Sequence, residues 1–111
     1  MKLWIDDVRP APEGYVWCKS VEETITKILE ETEYNRMAYI PEDIELIDLD
    51  HDAGDYANQG GDYIKILDWL ESDGYPLFNV HIKAFKIHSA NPVGVQNMRR
   101  IIERNGWKEI L

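Results

Sequence analysis

Three short runs of the 111-residue sequence hold side chains that can handle a phosphate ester: Asp6-Asp7, Asp50-His51-Asp52 and His88-Ser89-Ala90-Asn91. Crowded carboxylates repel one another, so such a group takes up a proton or a cation. Hard divalent ions such as Mg2+ prefer oxygen ligands of this type, and Asp6, Asp7 and Asp50 are the expected metal ligands. Imidazoles titrate near neutrality and serve as general bases and acids. His51 and His88 follow different strands and are expected to face each other across a bound phosphate, sharing the catalytic proton transfers. Arg9 offers a two-pronged donor for phosphate oxygens. Ser89 can donate to phosphate, and Asn91 can touch the same ligand while capping a helix whose free amides form an anion site. Each residue also has a plainer reading. The acids can shape loops, a lone histidine is more often structural than catalytic, Ser89 can cap locally, and Arg9 can form a surface ion pair. His81 lies before its strand and takes no assigned role.

These runs need a frame that gathers them. KLWI reads as a strand that stops at Asp6-Asp7, and the prolines and glycine of VRPAPEG leave no room for a full helix. YVWC reads as a second strand. Ser20 and Glu23 form a capping box for a helix with the stripe Val21, Ile25, Ile28 and Leu29, fading near Tyr34. The segment from Asn35 to Asp43 is ambiguous, and Pro41 breaks any helix there. IELIDLD, from Ile44, reads as a strand buried on both faces. HDAGDYANQGG is a loop that forms a rim over the pocket and matches no nucleotide-binding fingerprint. Asp62 opens a second helix, with Tyr63, Ile64, Leu67 and Leu70 facing the sheet, and DGYP ends it. Ala84 to His88 is strand-like. Asn91 caps a third helix with Pro92 at its first position, and Asn105-Gly106 stops it. WKEIL reads as a short last strand. The order β-β-α-β-α-β-α-β predicts an α/β domain with a parallel sheet, right-handed crossovers and helices on both faces. Open parallel sheets bind ligands beyond the carboxyl ends of their strands, where all three polar runs fall.

Composition narrows the partners. The length suits one domain, residues 1–111. A formal net charge of −9 opposes binding to long nucleic acid but leaves room for a small cyclic phosphate or an RNA terminus beside a local cation. No run approaches the roughly 18 apolar residues that span a membrane, and the early Asp6-Asp7 argues against a secretory signal. Cys18 is the only cysteine, so no internal disulfide forms, and a reducing cytoplasm is the expected location. Cys18, Trp4, Trp17, Trp69 and Trp107 read as packing residues.

The runs LWIDDVRP, DLDHDAG, GGDYIKILDWL and HSANPVG resemble response-regulator receiver domains, and more closely a divergent branch that processes cyclic phosphates. The resemblance covers nearly the whole chain. It implies a receiver-like (flavodoxin-like) three-layer fold with a five-stranded, mainly parallel sheet that lacks the first and last receiver helices. In receivers two acids after the first strand and an aspartate after the third hold Mg2+, and the latter accepts a phosphoryl group. Asp6, Asp7 and Asp50 match those positions, and Ser89 matches the hydroxyl residue after the fourth strand. The receiver lysine after the fifth strand has no counterpart, since Lys108 lies inside WKEIL. The resemblance implies two functions. One is a metal-assisted phosphodiesterase that opens cyclic phosphates, such as 2',3'-cyclic ends in RNA repair, with His51, His88 and Asp50 catalytic and Arg9, Ser89 and Asn91 on the phosphate. The other is a phosphoacceptor or phosphate-sensing module without turnover. A missing last helix leaves a sheet edge uncovered, through which a homodimer can form.

Overall fold

The computed structural model describes residues 1–37, 44–72 and 82–111. Its elements are β1 (Lys2–Ile5), β2 (Tyr15–Cys18), α1 (Val21–Met37), β3 (Leu46–Leu49), α2 (Ile64–Ser72), β4 (Phe85–Ile87) and α3 (Pro92–Arg104), with a 3-10 turn at Gly54–Tyr56. The sheet runs β2-β1-β3-β4, and every pairing in it is parallel.

The sheet has four strands, not five. WKEIL reaches β4 but forms only a single bridge, Phe85 with Glu109. Phe85 donates its amide to Lys108 O, and Ile110 donates back to Phe85 O. One bridge does not grow into a ladder here because the segment has little to bury. Ile110 and Leu111 are exposed, and only Trp107 leans inward, stacking on Phe85 at 5.2 Å.

The layering differs as well. The crossovers through α1, α2 and α3 all step in one direction across the sheet, so right-handed connections put all three helices on one face. Their stripes meet Leu3, Ile5, Cys18, Ile47, Leu49 and Phe85 in a single core. Each such side chain contributes about 1.5–3 kcal/mol when fully buried. The described helices therefore form one layer, not two. Only the step from β1 to β2 runs the other way, and there a loop replaces the helix. Two indoles fasten that loop: Trp4 Nε1 donates to Arg9 O at 2.9 Å, and Trp17 Nε1 to Asp6 O at 2.8 Å.

Local signals act much as expected where partners lie close in sequence. Ser20 Oγ accepts from Glu23 N, and the Glu23 carboxylate reaches back to Lys19 N. Asn91 caps α3 by accepting from Gly94 N, with Pro92 next. Four boundaries shift. Strand β3 spans Leu46–Leu49, and Ile44, the expected start, forms only a single bridge to Ile82. Helix α1 continues to Met37, beyond Tyr34 and into the ambiguous segment, whose remainder, 38–43, lies outside the described residues, Pro41 included. Helix α2 starts at Ile64 because the Asp62 carboxylate accepts from Ala53 N instead of capping. Strand β4 keeps only Phe85–Ile87 of the expected run. DGYP and His81 also lie outside the described residues.

Register does the most for function. Ile5 pairs with both Cys18 and Leu49, and Leu49 pairs with Ile87. The strands end level, so the next residues, Asp6, Asp50 and His88, emerge together at one edge.

Candidate functional site

The carboxylates of Asp6, Asp7 and Asp50 offer oxygens that all lie within 4.8 Å of one another. Asp6 is fully buried. Its Oδ1 accepts from Val8 N at 3.0 Å and Arg9 N at 2.9 Å, a turn that folds the chain back over the strand end. Burial alone would raise the Asp6 pKa. The two amides and His88 outweigh it and hold the carboxyl below its ordinary value. Asp7 shifts the other way, raised first by burial and then by the charges of Asp6 and Asp50. The backbone leaves it room, because Gly54 has φ +54° and a Cβ there would strike the Asp7 carboxylate. Asp50 turns Oδ1 onto its neighbour's amide, His51 N, at 2.7 Å. Three close oxygen donors, one still raised by its neighbours' charge, suit a hard divalent cation.

The two histidines have different surroundings. His88 Nδ1 meets Asp48 Oδ1 at 2.6 Å, and its Nε2 meets Asp6 Oδ2 at 2.9 Å. The ring stacks on Trp4, with centroids 3.8 Å apart and planes 5° from parallel. Burial pushes the His88 pKa down, but the hydrogen bonds and charges of Asp48 and Asp6 push it above the ordinary histidine value. A ring that donates from both nitrogens to carboxylates is an imidazolium, and the Trp4 face suits its charge.

His51 faces elsewhere. Its Nδ1 pairs with Asp52 Oδ1 at 2.7 Å, which lowers the Asp52 pKa through that hydrogen bond. Among the described residues Nε2 has no partner. The ring lies against Gly94 of α3, where a Cβ would come within 2.5 Å of His51 Cγ. Asp62 completes a second group with His51 and Asp52 within 4.8 Å. Thus His51 and His88 each pair with different carboxylates.

The remaining expected residues surround this edge. Arg9 is half exposed, with Nε 3.8 Å from Asp6 Oδ2. Ser89 Oγ accepts from Asn91 N at 3.1 Å, which leaves its hydroxyl proton free to donate. Asn91 uses both ends of its carboxamide: Oδ1 caps α3, and Nδ2 lies 3.4 Å from Asp52 Oδ1 and 3.5 Å from His51 Nδ1. The sequence reading missed Asp48, which is buried in mid-strand. Its signal was an acid within the apolar run LIDL, placed beside Trp4 by the register. It also missed Trp4 as the support for His88, and Tyr63, wholly buried beneath the site, whose hydroxyl donates to Lys19 O at 2.7 Å. Burial, then the charges of Asp7, Asp6 and Asp50, raises the Tyr63 pKa strongly.

A parallel sheet with two acids after its first strand, one after its third and a hydroxyl after its fourth defines a receiver-like domain with an acidic cluster at the strand ends. The chain belongs to a particular branch of that class: residues 1–104 match the family of the cyclic-phosphate processing receiver domain. No curated protein and no solved structure matches the chain.

Proposed function

We propose that this domain hydrolyses a cyclic phosphodiester, with a 2',3'-cyclic ribose phosphate as the natural type of substrate, whether on a nucleotide or at an RNA end. Family membership supports the substrate chemistry. The observation that carries the reading is His51: its Nδ1 is held by Asp52 while its Nε2 stays unengaged among the described residues. A carboxylate-oriented imidazole with one free nitrogen is built to accept a proton.

Arg9, the Ser89 hydroxyl and the amides at the start of α3 hold the ring phosphate. His51 Nε2 takes a proton from water as the water oxygen bonds to phosphorus. The bond from phosphorus to one ribose oxygen breaks, that oxygen takes a proton from solvent, His51 releases the proton it accepted to solvent, and a monoester leaves. Asp6, Asp7 and Asp50 would hold a divalent ion such as Mg2+, which neutralises charge on the phosphate oxygens when bound. His88 serves as a positioning residue: its imidazolium, fixed by Asp48 and Trp4, orients Asp6 and offsets one of the crowded negative charges. A lone cysteine fits work in a reducing cytoplasm, and among the described residues no helix is long and apolar enough to cross a membrane.

The test is turnover of a panel of 2',3'- and 3',5'-cyclic nucleotides, with Mg2+ and with chelator. The expected result is ring opening of the 2',3' substrates, lost with chelator, and at least 100-fold slower in His51→Gln with the fold intact. Equal rates in His51→Gln would remove His51 from the chemistry. No turnover of any ring would leave the second reading, phosphoryl transfer to Asp50, which the three-aspartate geometry also favours. That reading requires a mass gain of one phosphoryl group from a small phosphoryl donor with Mg2+, absent in Asp50→Asn.

A further inference from the structure

A cavity of about 420 Å³ opens beside Ser89, outside the carboxylate and histidine cluster. Its wall is the outer face of the first two turns of α3, with Val93, Val95, Gln96 and Arg99, and its inner end is Ser89-Ala90. These residues do not serve the core, which α3 reaches through Gly94, Met98, Ile101 and Ile102. Val93 is 67% exposed and gives the cavity an apolar surface.

The electrostatics select the ligand. Among the described residues Arg99 is the only charged side chain in the lining, and it is already neutralised: Nε lies 2.9 Å from both Glu109 carboxylate oxygens and Nη2 2.7 Å from Oε2. The cavity therefore has little pull on a second phosphate. It offers an apolar branch at Val93 and Val95, a planar guanidinium face at Arg99, and one neutral amide with a donor and an acceptor at Gln96. That combination suits a flat, uncharged, hydrogen-bonding ring. The cavity shares Ser89 with the proposed phosphate site. Ser89 follows His88, which is bonded to Asp6, and precedes Asn91, which is bonded to Asp52.

We propose that this cavity is the nucleoside subsite of the phosphate site, with the base lying on Val93 and the Arg99 guanidinium and its polar edge read by Gln96. The proposal rests on the cyclic-phosphate reading for the phosphate half of the ligand and adds where the base of that ligand is held and which residues read it. Arg99 is a positioned platform in this account, and Glu109 holds it flat, which gives the C-terminal bridge to β4 a purpose.

The experiment is calorimetric binding of glycerol 2-phosphate, adenosine 3'-monophosphate and cytidine 3'-monophosphate to the whole chain, with backbone amide shifts followed by NMR. The nucleotides are expected to bind at least tenfold more tightly than glycerol phosphate and to shift the amides of Val95, Gln96 and Arg99. Val93→Asp and Gln96→Ala, both at exposed positions that leave the core intact, are expected to reduce that advantage to less than twofold. Equal affinity for glycerol phosphate and the nucleotides would overturn the subsite and leave the phosphate reading standing. A nucleotide advantage that survives both variants would place the base elsewhere. No binding by any of the three ligands would overturn the phosphate reading and the subsite with it.

Discussion

Asp48 lies buried in the middle of β3, where an unpaired acid would be costly, and His88 answers it from another strand. Removing one partner of a buried charged pair typically costs about 3–5 kcal/mol, because the other charge is left behind. Asp48→Asn keeps the shape and loses the charge, so its urea midpoint is expected to fall by an amount worth about 3 kcal/mol. An unchanged midpoint would mean that His88 is not the bridge described above. Cys18 gives a second test through pH. Burial pushes its thiol from 9.0 up to about 11, with the Glu23 charge adding to the effect. The unfolded chain loses this proton first. The stability is therefore fully present below pH 9.0 and is lost as the pH rises through about 11. Cys18→Ala should lack this contribution, and native Cys18 should react with a thiol reagent at pH 8 far more slowly than the unfolded chain. Equal rates would show an accessible thiol.

At the scale of elements, helix α3 does two jobs at its first turn. Asn91 caps it, and Gly94 lets the backbone approach the His51 ring. Asn91→Ala is expected to cost about 1 kcal/mol in thermal or urea unfolding, the usual loss for such a cap. Gly94→Ala should retain the helix, where alanine is favourable, yet displace His51. The expected result is at least a tenfold fall in ring opening with little change in helicity by circular dichroism, and wild-type turnover would contradict the packing. Asn91 was readable as chain punctuation, as were the capping box at Ser20 and the Asn-Gly stop, because each depends on neighbours within a few residues; the role of Gly94 was not, because the His51 ring it admits is distant in sequence. The role of Asp48 was not readable in that way, because its partner is 40 residues away. The two histidines looked equivalent for the same reason. What separates them is which carboxylates the register brings to each ring. The fifth strand failed on burial, since WKEIL alternates like a strand but leaves Ile110 and Leu111 in water.

Across the whole molecule, level strand ends on a parallel sheet explain why residues from positions 6 to 91 share one edge. The parallel α/β character and the convergence of the three polar runs followed from the order of apolar and polar segments. The single layer of described helices followed from the direction of the crossovers, which depends on strand order, and strand order is not written locally. In the proposed function an acidic chain with a net charge of −9 would hold a phosphate through Arg9, Ser89 and the α3 amides, which act at short range, while the carboxylates would face a cation. The most direct test of that account is a phosphorus-31 NMR time course of a nucleoside 2',3'-cyclic phosphate with the protein and Mg2+. The account predicts that the cyclic diester signal is replaced by a monoester signal, and that chelator or His51→Gln stops the conversion. A cyclic signal that persists unchanged beside folded wild-type protein and Mg2+ would contradict it.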